Sequence, residues 1–131
     1  MTDSPVTGID HLVLYATDVE ATCEFYADTL GVAERETFGD DRIALSFGTT
    51  KLNLHPAGDV DVLHATDPAP GSADFCLVVD EAVERLGQRF EDAGVAVVEG
   101  PVTRTGARGS MRSIYVRDPD GNLVEFARYD D

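Results

Sequence analysis

SIYVRDPDGNLVEFAR, residues 113–128, decides how the chain is read. Its centre, Asp118-Pro119-Asp120-Gly121, is a turn: Asp suits the first position of a type I turn, Pro presets φ at the second, and Gly takes the fourth. Apolar-rich runs flank it, so the stretch reads as a β-hairpin. In the second strand Val124 and Phe126 share one face, and Leu123, Glu125 and Ala127 share the other. Glu125 is therefore a carboxylate in mid-strand among apolar neighbours. Such a group is costly unless it is paired, protonated or bound to a metal.

The rest of the chain leads up to this hairpin twice. Gly8–Ala16 alternates as a strand, with Leu12, Leu14 and Ala16 on one face and His11, Val13 and Tyr15 on the other. Thr17-Asp18-Val19-Glu20 is a capping-box pattern. The helix it opens runs to Leu30, with Val19, Cys23, Tyr26 and Leu30 along one stripe, and Gly31 ends it. Strands follow at Val32–Phe38, Arg42–Phe47 and Lys51–His55, with glycine-containing turns between them. Residues 56–72, rich in Pro, Gly, Asp and Ala, read as a connector. Then come a strand at Ala73–Val79, an N-cap at Asp80, a helix at Ala82–Ala93 carrying Val83, Leu86 and Phe90, and Gly94 at its end. A strand at Val95–Val102, a loop at Thr103–Arg112 and the opening hairpin complete the chain.

The repetition is also one of residues. Leu14 and Leu77 lie 63 positions apart, as do Gly31-Val32-Ala33 and Gly94-Val95-Ala96. The last strands align at a larger offset, Asn53 with Glu125, and the extra residues fit in the 103–112 loop. Short internal repeats of this kind bury a shared face. The expected fold class is α+β: two βαβββ modules, residues 6–55 and 73–129, within one domain of residues 1–131.

In each module the first and last strands have a helix-covered face and a second face. The second faces carry His11, Asp74, Asn53 with His55, and Glu125. His, Asp and Glu suit a divalent ion such as Mn, Fe, Co, Ni or Zn. The expected metal ligands are His11, Asp74 and Glu125, which leaves positions open for substrate. Glu125 and Asp74 are also the candidates for moving a proton, and Asn53 and His55 for holding substrate. Arg104, Arg108 and Arg112 crowd the 103–112 loop, where Gly106 and Gly109 allow movement. They are read either as a solubilising loop or as a clamp for a carboxylate or phosphonate. Cys76 lies two residues after Asp74 on the same face, and His64 in the connector is expected to be exposed.

Composition narrows the partners. The chain has 25 acidic and 10 basic residues, a net charge of −15, and Lys51 is its one lysine. That field repels nucleic acid and anionic membranes and matches the acidic surfaces of proteins from salt-rich, halophilic cytoplasm. The acidic residues are spread along the chain rather than blocked. No apolar run is long enough for a membrane helix, and MTDSPVTGID is not a signal-peptide pattern. A cytoplasmic location is expected, with Cys23 and Cys76 reduced.

The opening DHLVLYATDVEATCEFYADTLG, the segment GSADFCLVVDE and the closing RDPDGNLVEF together resemble the vicinal oxygen chelate superfamily. That group includes glyoxalase I, fosfomycin and bleomycin resistance proteins, extradiol dioxygenases and methylmalonyl-CoA epimerase. The NLH and PGSAD segments resemble the glyoxalase-domain-containing protein 5 type. The resemblance implies paired modules forming a half-open, cup-shaped mixed sheet around a metal, commonly in a homodimer. It matches His11 to the first-strand ligand and Glu125 to the last-strand ligand. Asn53 falls where glyoxalase I has an acidic ligand, and Asp74 where the family usually has His. These departures argue against glutathione-dependent glyoxalase I chemistry and against a plain two-His, one-Glu dioxygenase. The expected function is a metal-dependent, glyoxalase-like enzyme acting on a small substrate with vicinal oxygens, by lyase, isomerase or transferase chemistry. The alternatives are a non-catalytic binding protein of the bleomycin-resistance kind and a ring-cleaving dioxygenase.

Overall fold

The computed structural model describes residues 3–59 and 61–130. The expected domain bounds at 1 and 131, and Val60 in the connector, lie outside them. The chain is α+β and divides into two compact units between Leu63 and His64.

In the first unit β1 (His11–Ala16) leads to α1 (Val19–Glu24), a π-helical turn at Phe25–Thr29, then β2 (Glu34–Phe38), β3 (Arg42–Phe47) and β4 (Thr50–Pro56). The sheet order is β1-β4-β3-β2, with β1 and β4 parallel and the other pairs antiparallel. Asp18 caps α1 as expected, accepting from the Ala21 N–H at 3.1 Å. The last helical turn widens: Leu30 N–H donates to Phe25 O, five residues back, before Gly31 at φ 66 turns the chain. Cys23, Tyr26 and Leu30 are buried, as are Leu14, Leu45, Leu52 and Leu54 of the sheet. Val19 is only half-buried, and Leu12, expected on the covered face, is 44% exposed at the start of its strand.

The second unit repeats the plan. It contains β5 (Asp74–Val78), α2 (Val83–Asp92), β6 (Glu99–Gly106), β7 (Gly109–Arg117) and β8 (Leu123–Tyr129), in the order β5-β8-β7-β6. Val83, Leu86 and Phe90 of α2 are buried. Phe90 meets Phe126 edge-on at 5.0 Å, an arrangement worth about 1 kcal/mol beyond its buried area.

Three expectations need correction here. The residue capping α2 is Ala82 rather than Asp80, and it makes no side-chain cap bond. The strand expected at Val95–Val102 begins only at Glu99, because Val95 N–H is drawn back to Phe90 O, closing the helix end. Its ladder then shifts register between Glu99 and Val102, where Pro101 lacks a donor. The expected loop at Thr103–Arg112 is instead the tip of the β6–β7 hairpin, closed by a two-residue turn between Gly106 and Gly109. Thr and Arg alternate there without an apolar face, so the sequence carried no strand signal.

The register confirms where the repeat lengthens. Glu36 pairs with Ala44, and Glu99 with Tyr115. From the first member of each pair to the second, the offset between modules grows from 63 to 71, so the added length is the β6–β7 hairpin.

The turn at Asp118–Gly121 forms as the sequence predicts, with Gly121 N–H donating to Asp118 O at 2.9 Å and Gly121 at φ 89. Asn122 adds what the turn pattern does not contain. It is 1% exposed, donates from Nδ2 to Asp118 Oδ2 at 2.8 Å, and accepts from Ala73 N–H at 2.9 Å. Leu123 N–H then donates to Ala73 O at 3.0 Å. The turn is thus fastened to the start of β5. Gly71, at φ 85, passes so close that a Cβ there would meet Asp120 O at 2.6 Å.

Asn122→Ala is expected to cost about 2–3 kcal/mol, because it removes the bonds to the Ala73 N–H and to the Asp118 carboxylate. Gly71→Ala is expected to cost about 1–3 kcal/mol through backbone strain and contact. Urea denaturation midpoints of both variants check this.

Candidate functional site

Parallel pairing sets the site. In the first unit His11 lies opposite Lys51, Val13 opposite Asn53, and Tyr15 opposite His55. These six side chains share the face turned away from α1. All of them but Lys51 border a cavity of about 730 Å³ that also takes in Phe38 and Arg42. His11 Nδ1 is 2.9 Å from Asp10 Oδ2. A carboxylate requires a donor, so Nδ1 carries a proton, and in the neutral ring Nε2 then holds the lone pair. That is how a metal-binding imidazole is commonly held. Asn53 is half-buried, and its Oδ1 is buried without a hydrogen-bond partner. His55 stands edge-on to Tyr15, with ring centres 5.4 Å apart.

In the second unit the matching row runs across all four strands: Cys76, Glu125, Tyr115 and Glu99. Asp74 is on the same face one step earlier, opposite Leu123, and is exposed. Glu125 Oε2 is buried without a hydrogen-bond partner. The two last strands therefore each present one unsatisfied oxygen at the same place in the repeat, from Asn53 and from Glu125. A buried carboxylate oxygen left unmatched costs on the order of 1–3 kcal/mol or more.

Glu125 changes its neighbours. Desolvation first, and then the Glu125 charge, push the Cys76 thiol up to about 12. The residue keeps an exposed edge, yet the thiol stays protonated near neutrality. Tyr115 is also raised, by burial most and by Glu125 to a lesser degree, against the opposing Arg104. Arg104 Nε donates to Tyr115 Oη at 3.0 Å, and the guanidinium also pairs with Glu99.

The three arginines do not share a setting. Arg104 is on the Glu125 face. Arg112 is on the helix face, paired with Glu84 of α2, whose carboxyl it holds below the ordinary range. Arg108 stacks on the Tyr129 ring at 4.3 Å. A clamp made of all three is therefore not assembled. A strand sends successive side chains to opposite faces, a split hidden while the segment was read as a loop. Tyr115 escaped the sequence reading, although counting back from the turn puts it opposite Glu125. His64 is exposed, as expected. Among the described residues, no group of three His, Cys, Asp or Glu side chains gathers around one point.

Removing the Glu125 charge should lower the Cys76 pKa. In metal-free protein, Glu125→Gln is expected to speed alkylation of Cys76 at mildly alkaline pH by several-fold. Iodoacetamide labelling across pH, with the modified residue assigned by mass spectrometry, measures it. An unchanged rate would show that desolvation alone holds the proton.

Residues 8–126 match the family described as the Glyoxalase/Bleomycin resistance protein/Dioxygenase superfamily. The chain is 46% identical over 124 residues to virulence protein STM3117 of Salmonella typhimurium, covering 95% of this chain and 85% of that protein. The crystal structure of that protein matches with a TM-score of 0.92, over 97% of this chain and 100% of the other. Glyoxalase domain-containing protein RDO1 of Mycosarcoma maydis is 44% identical over 126 residues, covering 96% of this chain and 70% of that protein. The crystal structure of lactoylglutathione lyase from Agrobacterium tumefaciens is 26% identical with a TM-score of 0.73, over 95% of this chain and 96% of the other. With most of its length matched by the family and by these relatives, the chain belongs to the Glyoxalase/Bleomycin resistance protein/Dioxygenase superfamily.

Proposed function

We propose that this protein is a metal-dependent, glyoxalase-like enzyme acting on a small substrate with vicinal oxygens. Members of the superfamily bind small molecules and often use divalent metals. The observation that carries the reading is the buried, unpartnered Oε2 of Glu125, an oxygen whose position is costly unless a cation or donor completes it. The candidate ligands are His11 on its face of the first unit, and Asp74 and Glu125 on the matching face of the second. Imidazole nitrogen and carboxylate oxygen fit Mn, Fe, Co, Ni or Zn. When bound, such an ion polarises a substrate oxygen and stabilises the charge that develops on it.

The chain's own groups do the rest. The Asp10 carboxylate fixes the orientation of His11. Glu125 and Asp74 are the carboxylates available to take a proton from the substrate carbon. Asn53 and His55 line the substrate cavity. Of the three arginines, Arg104 shares the Glu125 face, where Tyr115 and Glu99 take up its guanidinium rather than leave it ready for an anion. The assignment to the glyoxalase-domain-containing protein 5 type rests on Asn53-Leu54-His55 and on Pro70–Asp74. A homodimer is part of the same proposal.

A passive binding protein is the second reading. It is favoured by Asn53, which can hold a ligand but cannot accept a proton where glyoxalase I has an acidic residue.

Elemental analysis of purified, reconstituted protein is expected to give about one divalent ion per chain. His11→Ala and Glu125→Gln are each expected to weaken metal affinity about a hundredfold or more. The Asp74→Asn/Glu125→Gln pair is expected to abolish turnover with the fold intact by circular dichroism. Wild-type metal content in both single variants, or full turnover in the double variant, would remove the basis of the enzymatic reading and leave the passive one.

A further inference from the structure

The cavity of the first unit has a chemistry that restricts what enters it. Tyr15 and His55 give it an aromatic edge, and Val13, 45% exposed, gives it an apolar patch. Asn53 Oδ1 lies buried there without a partner. An amide oxygen only accepts, so the group that reaches it must donate. Asp40, Asp41 and Asp59 line the cavity, against one arginine, Arg42. Arg42 lies 5.9 Å and Lys51 4.0 Å from the centre of the Phe38 ring, so both cations already have an aromatic partner. Glu20, also on the wall, is held by Arg35 in two bonds of 2.7 Å. The net field of the cavity is negative, within a chain of net charge −15, and a focused negative field disfavours anions.

We propose that this cavity binds a neutral or cationic ring carrying a hydroxyl or amino donor, with that donor on Asn53 Oδ1, and that it discriminates against anionic ligands. The ring lies flat against Val13 and takes the edges of Tyr15 and His55. This deepens the function proposed above by naming a substrate class. It rests on that reading for the reaction but not for the binding.

Three probes share one dihydroxyphenyl ring and differ in charge: catechol is neutral, dopamine cationic and protocatechuate anionic. Calorimetry on protein stripped of metal is expected to rank dopamine tightest and protocatechuate weakest, about tenfold or more apart at low salt. The gap narrows as salt is raised. Asp40→Asn/Asp41→Asn is expected to shrink the gap severalfold, and Asn at position 41 tolerates the φ of 63 found there. Asn53→Leu is expected to weaken all three about tenfold, whereas Asn53→Asp, which keeps an acceptor, retains dopamine. Equal affinities for dopamine and protocatechuate, no effect of Asn53→Leu, or no binding of any probe would each overturn the inference. Metal content measured on the same preparations keeps the two proposals apart. Metal retained without ring binding sinks this one alone, and ring binding by protein that never takes up metal sinks only the enzymatic reading.

Discussion

Asn122 holds the second unit in register. Its amide bonds to Asp118 on one side and to Ala73 on the other, so the turn and the start of β5 are tied together before β8 begins. From there the parallel ladder follows residue by residue, and Cys76 arrives beside Glu125. A slip of one residue would send Glu125 to the helix face and Phe126 out of the core. Phe126 and Val124 are wholly buried, so the hydrophobic cost of that slip far exceeds any gain for the carboxylate. The core thus enforces an uncomfortable position for Glu125.

That discomfort spreads to its neighbours. Burial first, and the Glu125 charge after it, raise both the thiol beside the carboxylate and the phenol opposite it. Arg104 works against this from the next strand, but its charge is shared between Tyr115 and Glu99. The first unit has the same architecture with a neutral amide at the equivalent point. Duplication gives two faces of one design, with a carboxylate on one where the other has an amide.

Much of this was legible in advance because it depends on period. The alternation of Val124, Glu125 and Phe126, the 63-residue recurrence of Gly-Val-Ala, and the Asp18 cap are local signals with local causes. What failed had no period to read. The stretch Thr103–Gly106 has no apolar face, yet pairing with β7, whose Met111 and Ser113 are buried, makes it a strand. Once it is a strand, Arg104 and Arg112 must part. Asp80 has the chemistry of a cap, but the helix starts two residues later than its position demands.

The amino-acid sequence alone determined the two βαβββ modules, the faces on which His11, Asn53, Asp74 and Glu125 lie, and the acidic character of the surface, because alternation and charge are properties of neighbours along the chain. Only the tertiary structure decided which oxygens are left without partners, that Tyr115 stands against Glu125, and that Arg112 is spent on Glu84. Those outcomes depend on strands pairing across tens of residues, and the register of such pairing is set by core packing and by single bonds such as Asn122 to Ala73.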